Sequence, residues 1–182
     1  MNDLATQADR LEAAVAAILA LRPRLEAGAP WPLAELYGTE AEASWGPPEL
    51  LAHLDEMLPF WLGEVERILD GPTTARLDGP AAAGLAAGAA VPYGRLATDT
   101  LRNDIIGRDR TVPIRELLAR LASDGARVAR WMRELSASDA ARLGVHPTRG
   151  ESTVGAIFER SVTGHLEDHV LQLRSILDAA GT

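Results

Sequence analysis

Residues 164–177 read GHLEDHVLQLRSIL and place two histidines four residues apart within one amphipathic helical pattern. At about 100° per residue, His165 and His169 fall on the same helix face as a group of apolar residues. That group contains Phe158, Val162 and Ile176. A buried imidazole that finds neither a hydrogen-bond partner nor a metal costs about 1–3 kcal/mol. The stretch therefore predicts a helix whose buried face carries two polar groups that need a partner.

Four segments of the chain show the apolar periodicity of long amphipathic helices. The predicted helices run from Asn2 or Asp3 to Gly28, from Pro47 to Gly71, from Pro113 to Leu135 and from Ser152 to Ala179. Asparagine or aspartate at the start and glycine at the end are typical helix boundaries. Pro23 is expected to kink the last turns of the first helix, because proline lacks an amide donor.

Residues 71–110 differ from the rest of the chain, being rich in glycine, alanine and proline and poor in periodicity. Connections of this length usually carry function or contain a short element of their own. No segment shows sustained alternation of apolar and polar residues, which predicts that the chain has no sheet. We therefore expect an all-α protein, a four-helix bundle forming one domain over residues 1–182, with a long crossover between the second and third helices.

The composition excludes several classes of site and partner. The 182 residues contain no cysteine, so a metal would have to be held by histidine, carboxylate or backbone oxygen. The 26 acidic and 18 basic side chains give a net charge of −8, which argues against a nucleic-acid partner. All 18 basic side chains are arginines, and the absence of lysine excludes a lysine Schiff base.

The N-terminal sequence lacks the basic start and the unbroken apolar core of a signal peptide. No apolar run approaches the roughly 20 residues that span a bilayer. We therefore expect a soluble, cytoplasmic protein that does not bind membranes.

A third histidine extends the pair in the last helix. His53 lies three residues after Leu50 and four before Met57, at the edge of the apolar face of the second helix. Histidines at positions i and i+4 of one helix can both reach one ion, although the spacing alone is a weak signal. Three of the four histidines facing one bundle interior raise a metal site to equal standing with the alternative of satisfied core residues.

The order of several motifs resembles the DinB-like superfamily, also called YfiT-like metal-dependent enzymes. These motifs are HLDEMLPFW from His53, YGR from Tyr93, HPTRG from His146, and STVGAIFERSVTGHLEDHVLQLRSIL from Ser152. The resemblance covers nearly the whole chain. It implies a four-helix bundle, often a homodimer, that binds a divalent metal, commonly zinc or nickel. By the same resemblance the metal ligands are His53, His165 and His169.

Three neutral imidazoles leave one position of a tetrahedral ion open for water or substrate, which is typical of a catalytic site. Relatives in the family include thiol S-transferases that use bacillithiol or mycothiol, and a mycothiol-dependent maleylpyruvate isomerase. The resemblance thus implies a transferase or a hydrolase acting on a small molecule. Two alternatives stay open: a non-catalytic or stress-related metal-binding bundle, and a helical interaction module whose histidines are satisfied core residues.

Further polar residues are candidates for supporting roles. His146 either acts as a catalytic acid or base near the metal or orders the loop before the fourth helix. Asp168 and Glu56 are candidates to orient a ligand imidazole. Tyr93 and Arg95 are candidates to bind an anionic group of the substrate, because an arginine fork suits a carboxylate.

The long connection raises a hypothesis of its own. A bundle made only of helices presents its ligands at an open end, and the segment from Gly71 to Arg110 is long enough to form a wall or lid there. The alternative is a passive surface crossover. The positions of Tyr93 and Arg95 relative to the three histidines decide between the two.

Overall fold

The structure is a computed structural model that describes residues 3–36, 41–71, 91–95 and 100–181. It is mostly helical, with one small sheet. The helices are α1 (Leu4–Ala20), α2 (Arg22–Ala27), α3 (Ala41–Ser44), α4 (Pro47–Asp70), α5 (Thr100–Asp109), α6 (Ile114–Glu134), α7 (Ala137–Ala140), α8 (Val154–Phe158) and α9 (Gly164–Ala180). The strands are β1 (Val91–Pro92), β2 (Leu143–His146) and β3 (Gly150–Thr153).

Residues predicted as helix boundaries do mark the ends of the first helix. The side chain of Asp3 accepts a hydrogen bond from the backbone of Ala5 at 3.3 Å, and Gly28 follows the last residue of α2. The predicted kink is a break at Leu21, which places Pro23 in the first turn of α2, where its missing N–H costs nothing. Local sequence signals thus set both the length and the interruption of this segment.

The four long helices pack around a shared apolar core. α1 contacts α6 and α9, and α4 contacts the same two helices. Buried apolar side chains from all four belong to one cluster, which includes Leu11, Leu54, Leu121 and Leu173. The packing brings α4, which carries His53, against α9, which carries the other two predicted ligands.

The prediction that the chain has no sheet was wrong. β2 pairs antiparallel with β3, and β1 pairs parallel with β2, in the order β1–β2–β3. The strands have only two to four residues, too few for a two-residue alternation to be visible in the sequence. β1 lies within the long connection, so the sheet ties that connection to the hairpin that precedes α8.

The predicted fourth helix is continuous in direction but irregular in its hydrogen bonding. A π-helical segment, Glu159–Thr163, joins α8 to α9, and the N–H of Gly164 donates to the carbonyl of Glu159 five residues earlier. The predicted start at Ser152 falls in β3, and helix begins at Val154 after a cap by Thr153. One extra residue is therefore accommodated just before His165.

No helix in the described part of the chain is both long and apolar enough to cross a membrane.

Candidate metal centre

The three predicted ligands meet at one point between α4 and α9. The Nε2 atoms of His53 and His165 lie 2.9 Å apart, and those of His165 and His169 lie 3.1 Å apart. One ligand nitrogen from each residue lies within 4.8 Å of the other two. His53 and His169 are buried, and His165 is half-buried. The predicted metal triad is thus brought together by the fold.

The arrangement of the nitrogens fits a cation better than it fits hydrogen bonding. A neutral imidazole nitrogen carries either one proton or one lone pair, so a single straight hydrogen bond satisfies two of the three facing atoms and leaves the third without a partner in the cluster. An ion accepts all three lone pairs at once. Zn–N bonds of 2.0–2.1 Å place two ligand nitrogens about 3.3 Å apart on a tetrahedral ion. The observed distances of 2.9 and 3.1 Å are within a few tenths of that value.

All three histidines are in the neutral form that can bind a metal. Burial, and then the positive charge of Arg102, holds the pKa of His53 well below its usual value. Burial lowers the pKa of His165 to about 4 and also lowers the pKa of His169. The imidazoles are therefore neutral at pH 7 and present lone pairs to a cation.

One ligand is oriented by a contact that sequence reasoning missed. The Nδ1 of His169 lies 3.0 Å from Oε1 of Gln172, so it carries the proton and donates it, which leaves the lone pair on Nε2. Nε2 of Gln172 in turn donates to the carbonyl of Glu42 at 2.7 Å. The sequence did contain a signal for this contact, because Gln172 lies three residues after His169 on the same helix.

A second missed residue, Arg102, lies beside His53. Its guanidinium pairs with the carboxylate of Glu42 and lies 5.1 Å from the ring centre of Trp45. It also lies 3.5 Å from Nδ1 of His53, the outer limit of a hydrogen bond, so this contact orients the imidazole weakly. Trp45 meets the His53 ring edge to face at 5.5 Å, which holds the ring by packing.

A pocket of about 340 Å³ opens beside the histidines. It is lined by Glu42, His53, Met57, Trp61, Arg95, Arg102, His146, Arg149, Arg160, Ser161, His165 and Asp168. Two of the three candidate ligands thus face a space large enough for a small molecule, and four arginines surround it.

His146 lines the same pocket and is buried. It is 4 % exposed, at the end of β2, with its ring against Tyr93 and Gly94. Its Nδ1 accepts from the N–H of Thr148 at 3.2 Å, and it shares a further hydrogen bond with the backbone of Arg95. Burial lowers its pKa. These contacts order two loops, and its catalytic role stays a prediction.

Among the described residues, neither carboxylate expected to orient a ligand forms a hydrogen bond with one. Glu56 forms a two-point ion pair with Arg95, at 2.5 and 2.6 Å, because its side chain points towards the long connection. Asp168 is exposed at the pocket and makes no hydrogen bond to a histidine within the described residues. The amide of Gln172 orients His169 instead.

Tyr93 and Arg95 lie on the same side of the molecule as the histidines. Arg95 lines the pocket and stacks on the Phe60 ring at 3.9 Å, and the buried Tyr93 contacts the ring of His146. The described residues 91–95 therefore form part of a pocket wall. Residues 72–90 and 96–99 of the proposed lid lie outside the described residues.

Comparison with known proteins gives one match. The family model described as the DinB superfamily matches residues 4–173, a range that contains all three histidines. No curated protein and no solved structure matches the chain.

Proposed function

This chain belongs to the DinB superfamily, and on that premise we propose that it is a metal-dependent enzyme whose divalent ion, zinc or nickel, is held by His53, His165 and His169. The observation that carries the proposal is the convergence of three neutral imidazole nitrogens beside an open pocket. A structural site would use all its coordination positions on protein ligands, whereas these three leave one free.

When bound, the ion would supply Lewis acidity at the inner end of the pocket. The protein supplies the rest. Gln172 holds the His169 ring in the tautomer that binds a cation, and Trp45 packs against the ring of His53. Met57 and Trp61 give the pocket an apolar side that would exclude water from part of the substrate.

We further propose that the reaction is the transfer of a low-molecular-weight thiol such as mycothiol or bacillithiol, or a hydrolysis. The soft thiolate of such a molecule suits a zinc ion with a free position. The pocket volume of about 340 Å³ suits a small-molecule substrate. The net charge of −8 speaks against nucleic acid as a partner. We also propose that α1, α4, α6 and α9 form a four-helix bundle that works as a cytoplasmic homodimer.

The metal assignment is tested by single replacements. His165→Ala should lower the zinc content of purified, dialysed protein at least tenfold, because two imidazoles hold the ion far less tightly than three. His146→Ala is the matched control and should keep its zinc. The measurement is metal content by mass spectrometry, with circular dichroism to confirm that each variant is folded. Unchanged zinc in His165→Ala would refute the assignment.

The reaction class is tested separately with the zinc-loaded protein. Consumption of mycothiol, bacillithiol or glutathione in the presence of electrophiles should depend on metal and disappear in His165→Ala. A zinc-replete protein that consumes no thiol and hydrolyses no ester or amide would contradict the enzymatic proposal and favour a metal-binding bundle without catalysis.

A further inference from the structure

Four arginines line the pocket beside the histidines, and two of them are neutralised by the protein itself. Arg95 is held by the carboxylate of Glu56, and Arg102 by that of Glu42. These two ion pairs form parts of the pocket wall. Their guanidinium charges are largely cancelled by a carboxylate, so they attract an anion only weakly.

The other two arginines, Arg149 and Arg160, have no carboxylate partner among the residues the structure describes. Arg149 lies in the turn between β2 and β3, and Arg160 lies in the π-helical segment. The Nη2 of Arg160 lies 3.5 Å from the hydroxyl of Tyr93 and 3.4 Å from that of Ser152, so these two contacts are with hydroxyls and not with carboxylates. These two exposed guanidinium groups therefore make no ion pair among the described residues, at a pocket whose lining also includes the exposed carboxylate of Asp168.

A third polar residue lines the same pocket. Ser161 follows Arg160 in the chain, lines the pocket and is 5 % exposed. Its hydroxyl is buried and has no hydrogen-bond partner among the described residues. Buried hydroxyls are rarely left unsatisfied, and an exception needs an explanation. A ligand that reached this hydroxyl would satisfy it.

The local helix geometry accounts for this grouping. The π-helical segment Glu159–Thr163 inserts one extra residue into the helix just before the metal ligands. Such insertions are rare and occur frequently at functional sites. Here the segment presents Arg160 and Ser161 to the pocket one turn away from His165.

We propose that Arg149, Arg160 and Ser161 bind a carboxylate or phosphate group of the small molecule whose reacting group lies at the three histidines. This inference rests on the proposed function and adds the substrate class. Guanidinium groups recognise both oxyanions through paired, charge-assisted hydrogen bonds. Arg95 was predicted to bind an anionic group of the substrate, but it is paired with Glu56. We therefore assign anion binding to Arg149 and Arg160 instead.

The test is calorimetric titration of the full chain, once freed of metal by a chelator and once loaded with zinc. The probes are succinate, its neutral diamide and inorganic phosphate. Phosphate is titrated only into the metal-free protein. Wild-type protein should bind succinate or phosphate but not the diamide. Arg149→Gln and Arg160→Gln should each weaken binding about tenfold, and the double variant about a hundredfold. Arg174→Gln, an exposed arginine of α9 outside the pocket lining, is the matched control and should bind as wild type.

The proposal is overturned if the folded double variant binds as tightly as wild type, or if wild type binds neither anion. Zinc content is measured on the same samples, so the two proposals fail separately. Arginine-dependent binding to the metal-free protein supports the anion subsite even if zinc proves absent from purified protein. A full complement of zinc without anion binding leaves the metal site in place and removes the subsite.

Discussion

At the scale of single residues, the three candidate ligands differ in how firmly their rings are held. His169 is fixed by a hydrogen bond from Nδ1 to Gln172, and Gln172 is itself anchored on the carbonyl of Glu42. The ring of His53 is held mainly by Trp45. His165 sits between them and has both other nitrogens within 3.1 Å. A substitution of Gln172, which lies outside the triad, is therefore expected to change the affinity of the site for a metal by changing the orientation of the His169 ring.

Gln172→Ala should weaken zinc binding by about 10- to 100-fold while leaving the fold intact, because the His169 ring loses the partner that selects its tautomer. Zinc affinity is measured by competition with a chromophoric chelator. Gln172→Glu keeps an acceptor for the Nδ1 proton but loses the donor to the Glu42 carbonyl, so its affinity should fall between those of wild type and Gln172→Ala. Equal affinity for zinc in wild type and Gln172→Ala would contradict this role.

The sequence predicts the ligands but not the residues around them. His165 and His169 share a helix, so their proximity follows from helical spacing alone, and His53 required only that a second helix face them. Gln172 follows the same rule and was overlooked. Arg149 lies in a turn and Arg160 in an irregular helical segment. Neither position belongs to a periodic sequence pattern that could have predicted its place in the pocket. Their proximity is therefore visible only in the folded chain.

At the scale of elements, the π-helical segment determines how the ligand helix enters the site. Arg10 of α1 binds Glu159 at its start and Glu167 beyond its end, so one guanidinium spans the irregular turn. Gly164 is needed at the turn, because a Cβ there would lie 2.8 Å from the carbonyl oxygen of Glu159. The next residue is His165, so a distortion at Gly164 reaches the metal ligands directly.

Gly164→Ala should therefore destabilise the protein by about 1–3 kcal/mol, the usual cost of forcing a group into filled space. This reverses the normal effect, since replacing glycine by alanine within a helix usually stabilises it by about 0.5–1 kcal/mol. Gly63→Ala in α4 is the matched control: it is exposed with nothing within 4 Å of an added Cβ, and it should show the normal gain. Urea unfolding measures both. Similar gains in the two variants would mean that the turn tolerates a side chain.

A second element-scale prediction concerns the short helix α7, which leads into β2. Hydrogen bonds from the hydroxyl and then the backbone N–H of Ser136 lower the pKa of Asp139. A carboxylate whose pKa is lowered by folding stabilises the fold above its unfolded pKa, near 3.9, and loses that effect as the pH falls through the folded value. Asp139→Asn should thus lower the melting temperature by about 1–2 °C at pH 7, and the difference should shrink progressively as the pH falls below the unfolded pKa. A difference that stays constant as the pH falls would show that the charge is not the cause.

The long helices were predictable from the sequence because each repeats its apolar pattern over several turns, and their boundaries carry proline, glycine or a capping side chain. The sheet and the π-helical segment were not. Strands of two to four residues are too short to show a period, and β1 pairs with β2 across about 50 residues of chain. The π-helical segment alters the register of α9 by one residue without interrupting its apolar pattern.

At the scale of the whole molecule, the proposed metal binding would be linked to folding stability, because the three candidate ligands come together only when α4 and α9 are packed. Removing zinc by chelation should lower the melting temperature by about 5–10 °C when zinc had been present at a hundredfold excess over its Kd. His165→Ala is the control and should melt at the same temperature with and without chelator. Identical melting of zinc-replete and chelated wild type would show that the ion contributes nothing to the fold.

The separation of the ligands along the chain has a consequence for how the protein is made. His53 and His165 are 112 residues apart, so during synthesis the first ligand leaves the ribosome long before its partners exist. Zinc captured early would be held by a single imidazole and released again. If the proposed triad holds the ion, only a chain in which both α4 and α9 are in place can retain it.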